Sequence, residues 1–232
     1  MSQHTPFFEL QAAFGGPGCA ICALTVRTLE RYFAGLVYEK VNDIRTRESI
    51  RRAYGFCAAH GAMLRSARSA LGVAIVQRDV LRAAAAALAA APPSAAPQGW
   101  RAALPGARRQ SGAPLDPRHP CPACELAAAT AAGWVQTLVR DYSGLRPALQ
   151  ASSGLCLDHL RAALAHSELA TAAELREDQL AIWARLEAEL DELIRKHDHQ
   201  FAAEPVGAER DAWARATELL AGDWRVTGSS RG

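Results

Sequence analysis

The architecture follows from two short stretches, Gly18-Cys19-Ala20-Ile21-Cys22 and Gly55-Phe56-Cys57-Ala58-Ala59-His60, because the chain contains a second copy of each. The later copies read Pro120-Cys121-Pro122-Ala123-Cys124 and Gly154-Leu155-Cys156-Leu157-Asp158-His159. In the first copy 34 residues lie between the CxxC and the CxxH, and in the second copy 31 residues do. An internal duplication of this kind predicts two related structural units, each built around the same pair of motifs.

A helical pattern follows each CxxC. Four apolar residues of the first copy match four of the second at positions i, i+1, i+4 and i+5, which is one helix face. The matched sets are Tyr32, Phe33, Leu36 and Val37, and Trp134, Val135, Leu138 and Val139. This pattern predicts helices over 22–41 and 124–141, with short helices over 45–53 and 145–151. Gly55 and Gly154 fit the left-handed residue that closes a helix.

A long third helix is expected to start near each CxxH, from His60 to Ala91 and from His159 to about Phe201. Their leucines recur at spacings of three or four, which predicts packing into a bundle rather than a cofactor site. The chain is also rich in alanine and only 6% aromatic, a composition that favours helix. The predicted fold class is therefore all-α, with two related helical half-domains, each organised around a CxxC…CxxH metal site and built from long amphipathic helices.

The composition divides the 232 residues into four segments. Residues 1–91 form the first CxxC/CxxH repeat and residues 119–203 the second. Residues 92–118 are rich in Pro, Ala and Gly, as in a linker. Residues 204–232 are predicted to hold a short helix over 208–221 and a disordered Gly/Ser end.

Three cysteines and one histidine per copy match the ligands of a Cys₃His metal site. Zinc takes four such ligands in a tetrahedron, and a CxxC lets two thiolates reach one ion from a single turn. The free amides at a helix start favour the negative charge of these thiolates. Because each copy holds a complete set, the sequence predicts two zinc ions per chain. The candidate ligands are Cys19, Cys22, Cys57, His60, Cys121, Cys124, Cys156 and His159.

Three other interpretations of the cysteines were weighed. They could be small buried hydrophobes, but that role gives no reason for a spacing that recurs. A thioredoxin-like dithiol belongs beside a βαβ pattern, and the sequence shows no strand run. An iron–sulfur cluster, and with it a redox or electron-transfer role, remains the alternative, because clusters are also held by cysteine thiolates. Four protein ligands would leave zinc no open position, which argues against hydrolytic catalysis.

The predicted first helix poses one geometric difficulty. A helix of about 20 residues is about 30 Å long. The return path from Asn42 to Cys57 is short by comparison. It must therefore run partly extended, or the first helix must be bent or shorter than predicted.

The bulk properties narrow the choice of compartment and partner. A net charge of +2 gives no field that would attract nucleic acid, and no stretch reaches the length of a membrane span. The N-terminus lacks the pattern of a signal peptide, so a cytoplasmic location is expected, where thiols stay reduced. His197 and His199 do not share a helix face, and they are expected in a solvated helix end. The sequence therefore predicts a binding or scaffolding role with a protein partner.

These motifs together resemble a bacterial family of unknown function whose members carry paired CPxC and GFCxxH motifs. The resemblance covers most of the chain, and the first CxxC differs by lacking the proline after its first cysteine. It implies metal binding by the eight residues named above and no known activity. The matching stretches are Cys19–Cys22, Leu36–Asp43, Gly55–His60, Leu71–Ile75, Cys121–Cys124, Gly154–His159, Lys196–Asp198 and Asp211–Ala216, with the later Gly222.

Overall fold

The computed structural model describes residues 5–91, 115, 119–201 and 203–227, and over these ranges the chain is helical without a β-strand. The all-α prediction is therefore confirmed. The linker predicted over 92–118, Leu115 excepted, and the Gly/Ser end lie outside the described residues. The helices are α1 (Thr5–Phe14), α2 (Ala20–Tyr38), α3 (Ile44–Arg52), α4 (Ala58–Arg65), α5 (Ala70–Ala90), α6 (Pro122–Arg140), α7 (Tyr142–Ala151), α8 (Leu157–His166), α9 (Leu169–Lys196), α10 (Ala212–Ala221) and α11 (Trp224–Thr227), with a 3₁₀ turn at Ala208–Asp211 before α10.

The chain divides into two compact units that do not follow the two sequence copies. The first unit comprises Met1–Glu30 and Leu126–Gly232, and the second comprises Arg31–Glu125. Helices α2 and α6 each begin in one unit and end in the other. Each unit consequently contains one CxxC and one CxxH, as the prediction of two half-domains requires, but takes them from different copies.

The first unit is built around an apolar core that α1 helps to close. Phe7, Leu10 and Phe14 lie on one face of α1 and are buried, and α1 packs against α7. The sequence pattern around the motifs did not predict this helix. Helix α9 packs against α7, α8 and α10. The core also contains Cys19, Ile21, Cys22, Leu24, Val135, Leu138, Tyr142, Leu145, Leu149, Leu155, Cys156, Leu160, Leu175 and Ile182.

The second unit packs α5 against α3 and against the end of α2. Asp43 caps α3 by accepting a hydrogen bond from the Thr46 amide at 2.7 Å. Gly72 of α5 lies so close to Val37 that an added Cβ would meet the Val37 carbonyl oxygen at 2.3 Å. A residue without a side chain is therefore required at this helix contact.

The predicted long third helices are wrong, because each is broken into two. The first ends at Arg65 and resumes at Ala70, and the second ends at His166 and resumes at Leu169. Ser69 caps the new helix in the first copy, where its hydroxyl accepts a hydrogen bond from the Gly72 amide at 3.2 Å. Side chains that bond to nearby backbone amides favour such starts over continuation of a helix. The serines in both breaks were the available signal. No helix among the described residues has the length and apolarity to cross a bilayer.

An equivalent ion pair occurs in both copies and was not predicted from the sequence. In the second copy, Arg146 of α7 donates to Asp178 of α9 with Nε–Oδ2 at 2.7 Å. In the first copy, Arg47 of α3 donates to Asp79 of α5 at 3.1 Å. Each pair ties the helix before a CxxH to the helix after the break. Both copies therefore have an ion pair that joins the helix before the CxxH helix to the helix after it.

Candidate metal centre

The eight predicted ligands come together in two groups of four. The Cys19 group consists of Cys19, Cys22, Cys156 and His159, and the Cys57 group consists of Cys57, His60, Cys121 and Cys124. Within each group the four ligand atoms all lie within 4.8 Å of one another. Each group lies inside one compact unit. Three sulfurs and one imidazole nitrogen so placed could hold a metal ion.

In the Cys19 group, the imidazole Nδ1 of His159 is the shared neighbour of the sulfurs. It lies 3.5 Å from Cys19 Sγ, 3.4 Å from Cys22 Sγ and 3.2 Å from Cys156 Sγ. Cys22 Sγ and Cys156 Sγ are 3.7 Å apart. A disulfide bond would bring two sulfurs to about 2.05 Å, so these atoms are neighbours without a covalent bond.

The Cys57 group repeats this arrangement. His60 Nδ1 lies 3.2 Å from Cys57 Sγ, 3.6 Å from Cys121 Sγ and 3.3 Å from Cys124 Sγ. Cys124 Sγ and Cys57 Sγ are 3.6 Å apart. In both groups, therefore, the histidine presents Nδ1 and each CxxC meets a CxxH.

The expected closure of each site within one copy is wrong. The first CxxC meets the second CxxH, and the second CxxC meets the first CxxH. Helix length supplies the physical reason. Helix α2 starts beside the first CxxC and runs for 19 residues, about 28 Å. The nine residues of α3 span only about 14 Å, so the chain does not return to its own CxxC before Cys57.

Each of the four motifs lies at a helix N-terminus. Cys57 and Cys156 are the N-cap residues of α4 and α8, while Cys19 and Cys121 directly precede α2 and α6. The second ligand of every motif is then the third helical residue, one turn further on. Two helix N-termini thus point their free amides at each group, and this partial positive charge favours thiolates. Pro122 suits its place because the first helical residue needs no amide hydrogen.

Glycines in left-handed conformations precede three of the motifs. Gly55 and Gly154 have φ of 99° and 82°, as the sequence predicted, and Gly18 has φ of 70° directly before Cys19. The Gly55 amide bonds to the Ile50 carbonyl at 2.9 Å, as expected after a helix end. These turns set the direction from which each cysteine enters its group.

The two groups differ in burial. Cys19, Cys22, Cys156 and His159 are all buried. In the Cys57 group only His60 is buried, and Cys57, Cys121 and Cys124 are partly exposed. The ring of Phe33 lies 6.4 Å from the His60 ring and covers part of that group. The Cys57 group is therefore the more accessible of the two.

Crowding of the sulfurs couples the ionisation of Cys19 and Cys22 in the Cys19 group. Hydrogen bonds from the thiols of Cys156 and Cys22 hold the pKa of Cys19 well below its usual range. Hydrogen bonding with Cys156 and Cys19, together with burial, raises the pKa of Cys22. Deprotonation of Cys19 is thus favoured, and deprotonation of Cys22 beside it is disfavoured. A bound cation would offset the charge of the remaining thiolates.

Two further residues support the Cys19 group without belonging to it. Gln179 of α9 accepts from the Leu155 amide at 3.0 Å and donates to the Leu155 carbonyl at 3.4 Å, which fixes the peptide before Cys156. Arg225 lies in a cleft of about 680 Å³ that Cys19 and Cys22 also line. Its pKa is raised by its hydrogen bond to Asp223 and, less strongly, by charges that include Cys22.

The other histidines noted in the sequence do not join either group. His197 ends α9, where its Nδ1 lies 2.9 Å from the Leu193 carbonyl oxygen. The side chain of His199 is 89% exposed, and its Nδ1 lies 3.0 Å from Asp198. Both therefore occupy the solvent-facing helix end that the sequence predicted.

Comparison with known proteins gives a family without an assigned role. The model of a family of unknown function (DUF6062) matches residues 6–227. The Uncharacterized 23.9 kDa protein in xynA 3'region of Caldicellulosiruptor sp. (strain Rt8B.4) is 38% identical over 64 residues. That alignment covers 28% of this chain and 31% of the relative, so the matched region is under a third of the relative's length. No solved structure matches the chain.

Proposed function

This chain belongs to the DUF6062 family, and we propose that it is a helical binding or scaffolding protein stabilised by two structural zinc ions. The Cys19 group and the Cys57 group would each hold one ion. In both, the ion would be bound by ligands from the two sequence copies. The function of the metal would be to fix the copies in a single fold, because metal binding energy contributes directly to folding.

The distances within the groups carry this proposal. Bonds of about 2.3 Å to sulfur and about 2.0 Å to nitrogen give tetrahedron edges of about 3.8 Å and about 3.5 Å around zinc. One S–S distance is 3.7 Å in the Cys19 group and one is 3.6 Å in the Cys57 group, the other S–S distances lie within 4.8 Å, and the S–N distances run from 3.2 to 3.6 Å. The eight side chains are thus spaced to surround one small ion in each group.

The same spacing favours a single ion over an iron–sulfur cluster. In a cluster the four ligands are divided among two or four irons, so they are spread around a larger body. Here all four ligand atoms of a group lie within 4.8 Å of one another. A Cys₃His set is also a standard closed set for structural zinc.

Exposed apolar side chains on α5 support a binding role. Leu71, Leu81 and Leu88 are 74%, 70% and 57% exposed. Several alanines lie between the last two, and Leu81 and Leu88 are seven residues apart on one helix face. Apolar surface of this kind is typical of protein-binding faces.

Elemental analysis of natively purified chain, combined with an absorption spectrum, tests the proposal. We expect two zinc ions per chain and no visible absorption, because zinc has a filled d shell. Iron with sulfide and a brown colour would contradict the zinc assignment in favour of a cluster. Iron without sulfide would indicate single iron ions in the same geometry. Fewer than two ions of any metal would contradict the two-site reading.

A further inference from the structure

We propose that the Cys57 group is an exchangeable metal site, which gives up its ion to a competing ligand while the Cys19 group keeps its own. This inference rests on the proposed binding of one ion by each group. It adds a function to the chain, since a protein with one permanent and one exchangeable ion can respond to metal supply. The two groups have the same ligand types, so the difference must come from their surroundings.

Access to the sulfurs is the first difference. A competing ligand must reach a sulfur or the ion before it can displace a thiolate. All four side chains of the Cys19 group are buried, with Cys156 at 0% exposure. Cys57, Cys121 and Cys124 are partly exposed. An incoming chelator can therefore approach three partly exposed cysteine residues of the Cys57 group, whereas every ligand residue of the Cys19 group is buried.

The support behind the CxxH is the second difference. The Gln179 side chain is hydrogen-bonded to both the amide and the carbonyl of Leu155, the residue before Cys156. The equivalent residue in the first copy, 99 positions earlier, is Val80, whose side chain has no hydrogen-bonding atom. A Cβ added to Gly55 would lie 3.5 Å from Val80 Cγ1, and a Cβ added to Gly154 would meet the Gln179 side chain. Val80 is therefore placed beside Gly55 as Gln179 is placed beside Gly154. The amide clamp is thus specific to the Cys19 group.

The experiment uses the intact zinc-loaded chain and a chromogenic zinc chelator, with N-ethylmaleimide present to mark each thiol that becomes free. Released zinc is followed by absorbance, and labelled cysteines are identified by mass spectrometry of peptides at each time. We expect two phases. Cys57, Cys121 and Cys124 should be labelled with release of the first ion, and Cys19, Cys22 and Cys156 only with release of the second.

Gln179→Val places in the second copy the residue type that Val80 provides in the first. It tests whether the hydrogen bonds from Gln179 to Leu155 slow the release of the second ion. Loss of such support typically costs about 10- to 100-fold in metal affinity, so we expect the slow phase to quicken by about tenfold and the fast phase to stay unchanged. Val80→Ala is the matched control and should leave the slow phase as in the wild type. If Gln179→Val does not fold, the labelling order in the wild type still decides.

Two outcomes would overturn the inference. In one, all six cysteines are labelled together, whether early or only on unfolding. In the other, the Cys19 group is labelled first. A starting content other than two ions contradicts the proposed function instead, so the two failures are distinguishable.

Discussion

Cys22 Sγ lies 3.7 Å from Cys156 Sγ, although 134 residues separate them in the sequence. The first belongs to the CxxC of the first copy and the second to the CxxH of the second copy. The reciprocal contact, Cys57 Sγ to Cys124 Sγ at 3.6 Å, completes an exchange of motifs between the copies. A metal ion in either group would therefore link the N-terminal and C-terminal halves of the sequence.

Loss of one thiolate ligand should cost far more stability than loss of a histidine that lies outside both metal-binding groups. We expect Cys57→Ser to lower the free energy of unfolding by several kcal/mol, since structural zinc contributes on the order of 10 kcal/mol in small modules. His197→Ala should change it by less than about 0.5 kcal/mol, because the ring lies at an exposed helix end. Thermal unfolding of both variants with equal zinc supplied makes the comparison. Equal shifts in Tm would show that Cys57 is not a ligand.

The buried carboxylate of the second copy should matter more than its counterpart in the first. Asp178 accepts from Tyr142 at 2.6 Å, Arg146 at 2.7 Å and Gln150 at 2.8 Å, and its side chain is 5% exposed. Asp178→Asn leaves buried donors badly matched and should cost about 3 kcal/mol.

The matched variant for this prediction is Asp79→Asn. Asp79 pairs with Arg47 and Arg51 in a more open setting, with its side chain 16% exposed. We expect a cost of about 1 kcal/mol for that change. Urea unfolding at constant zinc measures both variants. A cost for Asp79→Asn equal to or above that of Asp178→Asn would refute the ranking.

Two helical glycines should respond to alanine in opposite directions. At Gly72 the new Cβ would meet the Val37 carbonyl oxygen at 2.3 Å, so Gly72→Ala should separate α5 from α2 and destabilise the second unit by about 1–3 kcal/mol. At Gly133, in the middle of α6, a Cβ would meet no atom within 4 Å. Gly133→Ala should therefore stabilise the chain by about 0.5–1 kcal/mol. Unfolding curves that moved in the same direction would argue against the close α2–α5 contact.

Local pattern was sufficient to predict the helices around the ligands. Helix α3 begins at Ile44 and α6 at Pro122, each within two residues of the predicted start. The left-handed glycines at 55 and 154 were likewise predictable, because the motif requires a turn before each CxxH. These features depend on residues near in sequence, so the sequence carries them directly.

The pairing of the motifs was harder to predict, because it depends on distance in space. Any CxxC can close a tetrahedron with any CxxH, so ligand types alone do not choose between the copies. The length of α2 decides the pairing, since Cys22 lies in the first turn of this 19-residue helix and the chain that leads to Cys57 leaves from its other end. Helix α1 was missed for a related reason. The apolar face of α1 can be recognised as buried only when its packing against α7 is known. This face consists of Phe7, Leu10 and Phe14.

Metal content of two double variants tests the exchange of motifs most directly. Cys22→Ser with Cys156→Ser removes two ligands from the Cys19 group alone, so that chain should retain one zinc ion through gel filtration. Cys22→Ser with Cys57→Ser removes one ligand from each group, so that chain should lose both ions during the same gel filtration without chelator. The opposite result, with one ion kept by the Cys22/Cys57 variant and none by the Cys22/Cys156 variant, would show that each copy closes its own site and would contradict the account.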